Sequence, residues 1–193
     1  MRTTSVERKT GETDIKLTIN LDGKGEASVE TGIGFLDHMI CALAKHAKFD
    51  LQLVCKGDLE VDDHHTTEDC ALALGQAVDE ILGDRRGIKR FGSAYAPLDE
   101  ALSRAVIDFS GRPFGFAEMG LSRKSIGALA CENVPHFFQS FASTAKATVH
   151  LDVIRGDNDH HRAESGFKAF ALALREAVAL DGSSDIPSTK GTL

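Results

Sequence analysis

The chain has 193 residues and a formal net charge of -7, enough length to bury one sizeable core or two intimately joined halves. An acidic balance without a basic run argues against a nucleic-acid partner, no apolar run is long enough for a bilayer, and Met1 to Arg8 lacks an apolar signal core, so a cytoplasmic location is expected. Cys41, Cys55, Cys70 and Cys131 form no Cys-x-x-Cys pair and sit in apolar patterns, which predicts buried free thiols and directs any metal toward nitrogen and oxygen ligands.

In chain order, Asp14 to Asn20 alternates polar residues with Ile15, Leu17 and Ile19, the pattern of a half-buried strand. Asp22-Gly23-Lys24-Gly25 reads as a turn and Ala27, Val29 and Thr31 as a second strand, together predicting a hairpin. Phe35, Met39 and Leu43 then recur at helical spacing up to about Ala47, with His38 and His46 beside them. Leu51, Leu53 and Cys55 give another strand, followed by a Gly57-Asp58 turn and an alanine-rich helix that ends near Gly83. The same plan returns in the second half. Ala105 to Phe109 forms a strand that enters a glycine turn, Phe114 to Met119 a return strand, and Phe137 to Ala145 a helix starting at His136. Val149 to Val153 is the next strand, with a last helix running through Leu180. The order strand, strand, helix, strand, helix therefore occurs twice, in residues 1–90 and 91–180. This predicts an internally duplicated α+β fold with helices packed on one face of each sheet. Residues 181–193, rich in glycine, serine and proline, read as a mobile tail that a ligand would order.

One motif occurs in both halves. Asp63-His64-His65-Thr66-Thr67-Glu68 and Asp159-His160-His161-Arg162-Ala163-Glu164 both spell Asp-His-His-x-x-Glu at a helix start. A helix puts either histidine of a pair on the glutamate's face, while the two histidines lie about 100° apart around the axis. Each pair is thus a fork that serves two sites. A plain helix start, with Asp63 and Asp159 as N-caps and the glutamates as capping-box partners, is the simpler alternative for one copy. Adding His38 and His136 from the preceding helices gives, by repeat, His38, His64, His65 and Glu68 against His136, His160, His161 and Glu164. Divided between two ions this is three nitrogens and one oxygen each, with coordination positions left open for catalysis. Mn, Fe, Co, Ni and Zn all suit such a set. His46 and His150 are expected to be packing or structural residues. Arg90 beside Gly92, Arg112 in Ser110-Gly111-Arg112-Pro113, and the tail stretch Pro187-Ser188-Thr189-Lys190-Gly191 form candidate anion contacts.

Taken together, Gly32-Ile33-Gly34-Phe35-Leu36-Asp37-His38-Met39, the two His-His motifs, Arg90-Phe91-Gly92, Asp99-Glu100-Ala101-Leu102, Ser110-Gly111-Arg112-Pro113, His136-Phe137-Phe138 and Pro187-Ser188-Thr189-Lys190-Gly191 resemble the imidazoleglycerol-phosphate dehydratase family over nearly the whole chain. The resemblance implies a ribosomal protein S5 domain 2-like duplicated fold. It also implies two Mn2+ ions per subunit on the eight ligands, shared between neighbours in a homo-oligomer of 24 subunits. Further, it implies that Glu12 reaches a neighbour's substrate and that Arg90, Arg112, Lys168, Ser188 and Lys190 hold the phosphate. Glu12, His65, Glu68, His161 and Glu164 are the residues expected to take part in catalysis. Cys41 and Ala42 stand where the family usually has an acidic residue and a glutamine, and Pro135 and Lys45 are further departures; none is a ligand position.

The expected reaction is dehydration of imidazole glycerol phosphate to imidazole acetol phosphate in L-histidine biosynthesis. The C–H to be broken is not acidic, so an imidazolate held by metal would expel hydroxide to a diazafulvene, with a carboxylate such as Glu12 moving protons. The alternatives are a binuclear metallohydrolase of a small phosphate ester, against which the histidine excess speaks, and a metal-storing shell without activity.

Overall fold

Alternation along the chain builds two sheets of the same topology. In the computed structural model, which describes residues 1–193, the first half comprises β1 (Thr3–Lys9), β2 (Thr13–Asn20), β3 (Ala27–Glu30), α1 (Gly34–Ala47), β4 (Asp50–Gly57) and α2 (His64–Leu82). The second comprises β5 (Phe91–Leu98), β6 (Ala101–Asp108), β7 (Phe114–Glu118), the two-residue strands β8 (Ser125–Ile126) and β9 (Leu129–Ala130), α3 (Asn133–Ala145), β10 (Thr148–Arg155) and α4 (Asp159–Ala177). The sheets are ordered β1-β2-β4-β3 and β5-β6-β10-β7. The duplicated α+β plan is present, with one more strand in each four-stranded sheet than the sequence pattern predicts and a small β8-β9 ribbon besides.

The two extra strands, β1 and β5, were hidden for a physical reason. Both lack a run of alternating apolar residues: β1 (TTSVERK) has Val6 as its one apolar residue, and β5 (FGSAYAPL) is interrupted by Gly92 and carries Pro97. A second expectation is corrected. β2 and β3 do not pair as a hairpin; β4 lies between them, antiparallel to β2 and parallel to β3. The parallel pairing requires a crossover, and α1 supplies it. The same arrangement joins β7, α3 and β10.

α1 and α2 cover one sheet, α3 and α4 the other, and the two helical layers meet as α2 on α3 and α1 on α4. One continuous core of 50 buried apolar residues runs through both halves, with Phe137, Phe138, Phe141, Phe167 and Phe170 interlocked at its centre. Small residues set the helix spacing. At Gly75 of α2 an added Cβ would lie 2.4 Å from the Phe141 carbonyl oxygen and 2.9 Å from the Ala145 nitrogen of α3, so the backbones touch there.

The outer sheet faces differ. That of the first sheet is mostly polar (Ser5, Glu7, Lys16, Thr18, Gln52), whereas the second exposes Phe91, Tyr95, Val106, Phe114, Phe116 and Ile154. His150 lies on this second face between Phe114 and Phe116, exposed and not a core histidine. Cys55, Cys70 and Cys131 are buried, Cys41 is half-buried, and all four are free. The tail is less independent than its composition suggests. Its first turn is pinned by the Asp181 amide donating to Gly87 and the Gly87 amide donating to Asp185. Gly87 has φ +70°, and a Cβ there would meet the Ser183 carbonyl at 2.6 Å. No helix is long and apolar enough to cross a membrane.

Candidate metal centres and anion cradle

Six of the eight candidate ligands fall into two clusters of three, and the grouping crosses the repeat. His38 of α1 joins His160 and Glu164 of α4; His136 of α3 joins His64 and Glu68 of α2. The spatial grouping differs from the count by repeat because α1 packs on α4 and α2 on α3, so each helix's histidine faces the other half's motif. In each cluster the three ligand atoms lie within 4.8 Å of one another. His38 Nε2 and His160 Nε2 are 3.3 and 3.2 Å from Glu164 Oε2, and His136 Nε2 is 3.2 Å from Glu68 Oε1. The His64 and His136 rings stack at 4.8 Å, and Asn133 Oδ1 sits 2.9 Å from His64 Nδ1.

The first histidine of each pair enters the cluster because it is four residues before the glutamate, one helical turn. The second, His65 or His161, turns away with its ring nearly perpendicular to its neighbour. His65 Nδ1 lies 3.0 Å from Asp58 Oδ2, and its Nε2 lies 3.6 Å from Glu12. His161 Nδ1 lies 2.7 Å from Glu100 Oε2, and its Nε2 lies 3.8 Å from Asp99. These carboxylates raise the pKa of both histidines, Asp58 chiefly for His65 and Glu100 for His161. In return Glu100 is held at about 2 by His161 and by the backbone amides of Asn158 and Asp157.

Capping does not explain the motif. Asp63 makes no cap bond; its Oδ2 accepts from the Ala130 amide across the halves, while Asp62 accepts from the His64 amide. On α4 the cap is Asn158, whose side chain accepts from the His160 and His161 amides. Asp159 is buried and accepts from Ser122 and Arg123. Its pKa is lowered although burial alone would raise it, since the Arg123 and Ser122 amides favour the anion. Both glutamates face histidines. Asp58 and Glu100 were seen in the sequence only as a turn residue and as part of a motif without a role. For Asp58 the signal is a carboxylate in a tight turn seven residues before His65, whereas Glu100 lies 61 residues before His161 and the chain carries no local signal for it.

The anion candidates separate into two groups. Lys168 stands on α4 one turn beyond Glu164, its Nζ 2.7 Å from Glu164 Oε1. His38, Cys41, Ala42, Lys45, His46 and Lys168 line part of an open cavity of about 410 Å³ beside this cluster. Arg90 lies elsewhere, its amide donating to Ala177 at the far end of α4. Its guanidinium donates from Nε and Nη2 to Asp108 and from Nη1 to the Pro187 carbonyl. That uses three of five N–H groups and leaves one on Nη1 and one on Nη2, side by side. Ser188 and Lys190 follow Pro187 directly, and the last residue, Leu193, lies against Gly111, next to Arg112. Arg90, Arg112, Ser188 and Lys190 thus gather round the tail.

The sequence profile of imidazoleglycerol-phosphate dehydratase matches residues 31–174. The enzyme of that name from Candida glabrata is 56% identical over 97% of this chain and 98% of its own length. The one from Phytophthora nicotianae is 58% identical over the whole chain, which spans 43% of that longer protein. Among solved structures, imidazoleglycerol-phosphate dehydratase from Staphylococcus aureus superposes with a TM-score of 0.83 at 35% identity, covering 92% of this chain and 99% of its own. The dehydratase from Pyrococcus furiosus, solved in complex with (S)-C348, gives 0.83 at 32% identity, over 97% and 100%.

Proposed function

Because the chain belongs to the imidazoleglycerol-phosphate dehydratase family, hydro-lyases of histidine biosynthesis, we propose that its two cross-half His-His-Glu clusters bind two divalent metal ions, manganese in the cell. Two imidazoles and a carboxylate, with no thiolate among them, suit a borderline or hard cation. Ligand atoms within 4.8 Å of one another can all lie at bonds of about 2.0–2.2 Å from one centre. The donor set therefore fits the metal. When bound, such an ion withdraws electrons from a coordinated imidazole and acidifies it.

The observation that carries the proposal is the incompleteness of each cluster. Each cluster supplies three donors and leaves coordination positions to be filled, while the next histidine on the same helix turn faces outward with no hydrogen bond on Nε2. His65 and His161 of one copy complete the clusters of another. The second argument is length. Glu164 of the His38–His160–Glu164 cluster and Ala177 are 13 residues apart on one helix, about 20 Å at 1.5 Å per residue. Imidazole glycerol phosphate is far shorter than that. One chain cannot grip the imidazole at its metal cluster and the phosphate with its own Arg90, Arg112, Ser188 and Lys190. Substrate is held between copies, in the homo-oligomer of 24 subunits, and the apolar outer face of the second sheet supplies surface to bury there.

Within such a site the chain's own groups divide the labour. The histidines fix the imidazole end, while Lys168 beside Glu164 and the arginine cradle fix the phosphate end by charge-assisted hydrogen bonds. Glu12, at the outward Nε2 of His65, is the exposed carboxylate placed to move a proton. The test is metal content together with mass. Wild type should carry two Mn2+ per chain and sediment as the closed assembly. His65→Ala should lose metal, assembly and turnover together. Full turnover by chelator-treated His65→Ala protein would sink the scheme.

A further inference from the structure

His65 and His161 share one feature that the cluster histidines lack: a carboxylate on Nδ1. Asp58 stands at 3.0 Å from His65, and Glu100 at 2.7 Å from His161. An ionised carboxylate only accepts, so a neutral ring there carries its proton on Nδ1 and leaves Nε2 as a bare lone pair. We propose that Asp58 and Glu100 are positioning residues that set the tautomer and aim of His65 and His161, making Nε2 of each the donor to the neighbouring copy's metal. This rests on the reading of those histidines as ligands.

The two carboxylates come from different loops, and their other bonds differ. Asp58 follows β4 in the first half, and both its oxygens face His65 Nδ1, at 3.2 and 3.0 Å, with no other hydrogen bond to its side chain. Its positional counterpart Asp157 does not serve His161. Glu100, in the turn between β5 and β6, does so with Oε2, while its Oε1 accepts from the amides of Asp157 at 3.1 Å and Asn158 at 2.9 Å.

That difference gives the two isosteric amides opposite outcomes. In Asp58→Asn the side chain can rotate its carbonyl oxygen toward His65 Nδ1–H, and the tautomer is kept. In Glu100→Gln the single carbonyl oxygen is claimed by two backbone N–H groups, since turning it away would leave both without a partner. The NH2 then faces His161 Nδ1. A donor there makes Nδ1 the acceptor, moves the proton to Nε2 and closes the lone pair meant for the metal. The loop stays anchored, so the fold is untouched while the ligand is silenced.

The experiment titrates Mn2+ into each metal-stripped protein, following free Mn2+ by electron paramagnetic resonance. Alongside it, thermal melting of the metal-free proteins and nitrogen NMR of 15N-histidine-labelled samples are measured at an alkaline pH where the ring shifts no longer change with pH. His161 is assigned by its loss in His161→Ala. Glu100→Gln is expected to weaken one class of Mn2+ site about 10–100-fold, the range typical for outer partners of metal-bound histidine. It should also shift His161 to the Nε2–H form and lower metal-free melting no more than Asp58→Asn does. Asp58→Asn should stay within about threefold of wild type, and Asp58→Ala should weaken like Glu100→Gln. The proposal is overturned by wild-type affinity in Glu100→Gln, by equal losses in both amides, by an unchanged His161 tautomer, or by affinity loss that merely parallels lower metal-free stability. Absence of Mn2+ binding by the wild type would instead refute the ligand reading, and the tautomer spectra would still decide the positioning role.

Discussion

Gly75→Ala tests whether helix contact sets a metal site. Gly75 is the point where α2 and α3 touch backbone to backbone, and these are the helices that bring His64 and Glu68 to His136. An added Cβ would sit 2.4 Å from the Phe141 carbonyl oxygen, where ordinary contact begins at about 3.4 Å, so the helices must part by about 1 Å. Inserting a methyl into a packed core costs about 1–3 kcal/mol. Alanine in place of glycine returns about 0.8–1 kcal/mol of helix propensity. The net is a loss of about 1 kcal/mol or a little more, a fall of about 2–4 °C in the metal-free melting temperature for a chain of this size. The larger effect is geometric. Metal–ligand distances tolerate about 0.2 Å, so a displacement several times larger at His136 should weaken the His64–Glu68–His136 site. The His38–His160–Glu164 site, on α1 and α4, should keep its affinity. Calorimetry of the stripped protein and Mn2+ titration read both quantities. A variant as stable as wild type with two equivalent Mn2+ sites would refute the reasoning.

Three further outcomes are expected. His38→Ala and His136→Ala should each lower the Mn2+ content from two to one per chain, measured by elemental analysis, because each histidine belongs to one cluster. Asp69, buried on α2, accepts from Arg8 and Thr13 at 2.5 Å each; Asp69→Ala removes the acceptor of both, leaving Thr13 only its 3.4 Å contact with Thr10, and should cost about 2–4 kcal/mol in denaturant unfolding. The metal-free protein should show a stability optimum below neutrality, read as melting temperature against pH. Glu100, lowered from 4.5 to about 2 by His161 and two amides, contributes above 4.5 and loses that contribution as pH falls toward 2. His65 and His161, raised above 6.5 by Asp58 and Glu100, contribute below 6.5 and lose it as pH rises through their raised values. The same raised values mean that protons compete with metal, so Mn2+ affinity should fall on acidification already from above pH 6.5.

Much of this protein was legible in its sequence, because the relevant signals are local. Alternation at Ile15, Leu17 and Ile19, helical spacing at Phe137, Phe138 and Phe141, and the doubled Asp-His-His-x-x-Glu each depend on residues a turn or two apart. Periodicity is a one-dimensional signal. β1 and β5 escaped it because one has a single apolar residue, Val6, and the other is broken by Gly92 and Pro97. The pairing of β3 with β4, not β2, was decided by the crossover through α1.

The sequence by itself determined that each histidine pair is a fork, since 100° of helix rotation separates neighbours whatever the fold. Only the tertiary structure decided which prongs meet. The packing of α1 on α4 and α2 on α3 carries His38 and His136 to the opposite half's motif. It also leaves His65 and His161 facing outward, held by Asp58 and Glu100. Apart from Asp58 on His65, seven residues away, those contacts join residues more than 60 positions apart, and no local pattern records a distance that packing alone creates.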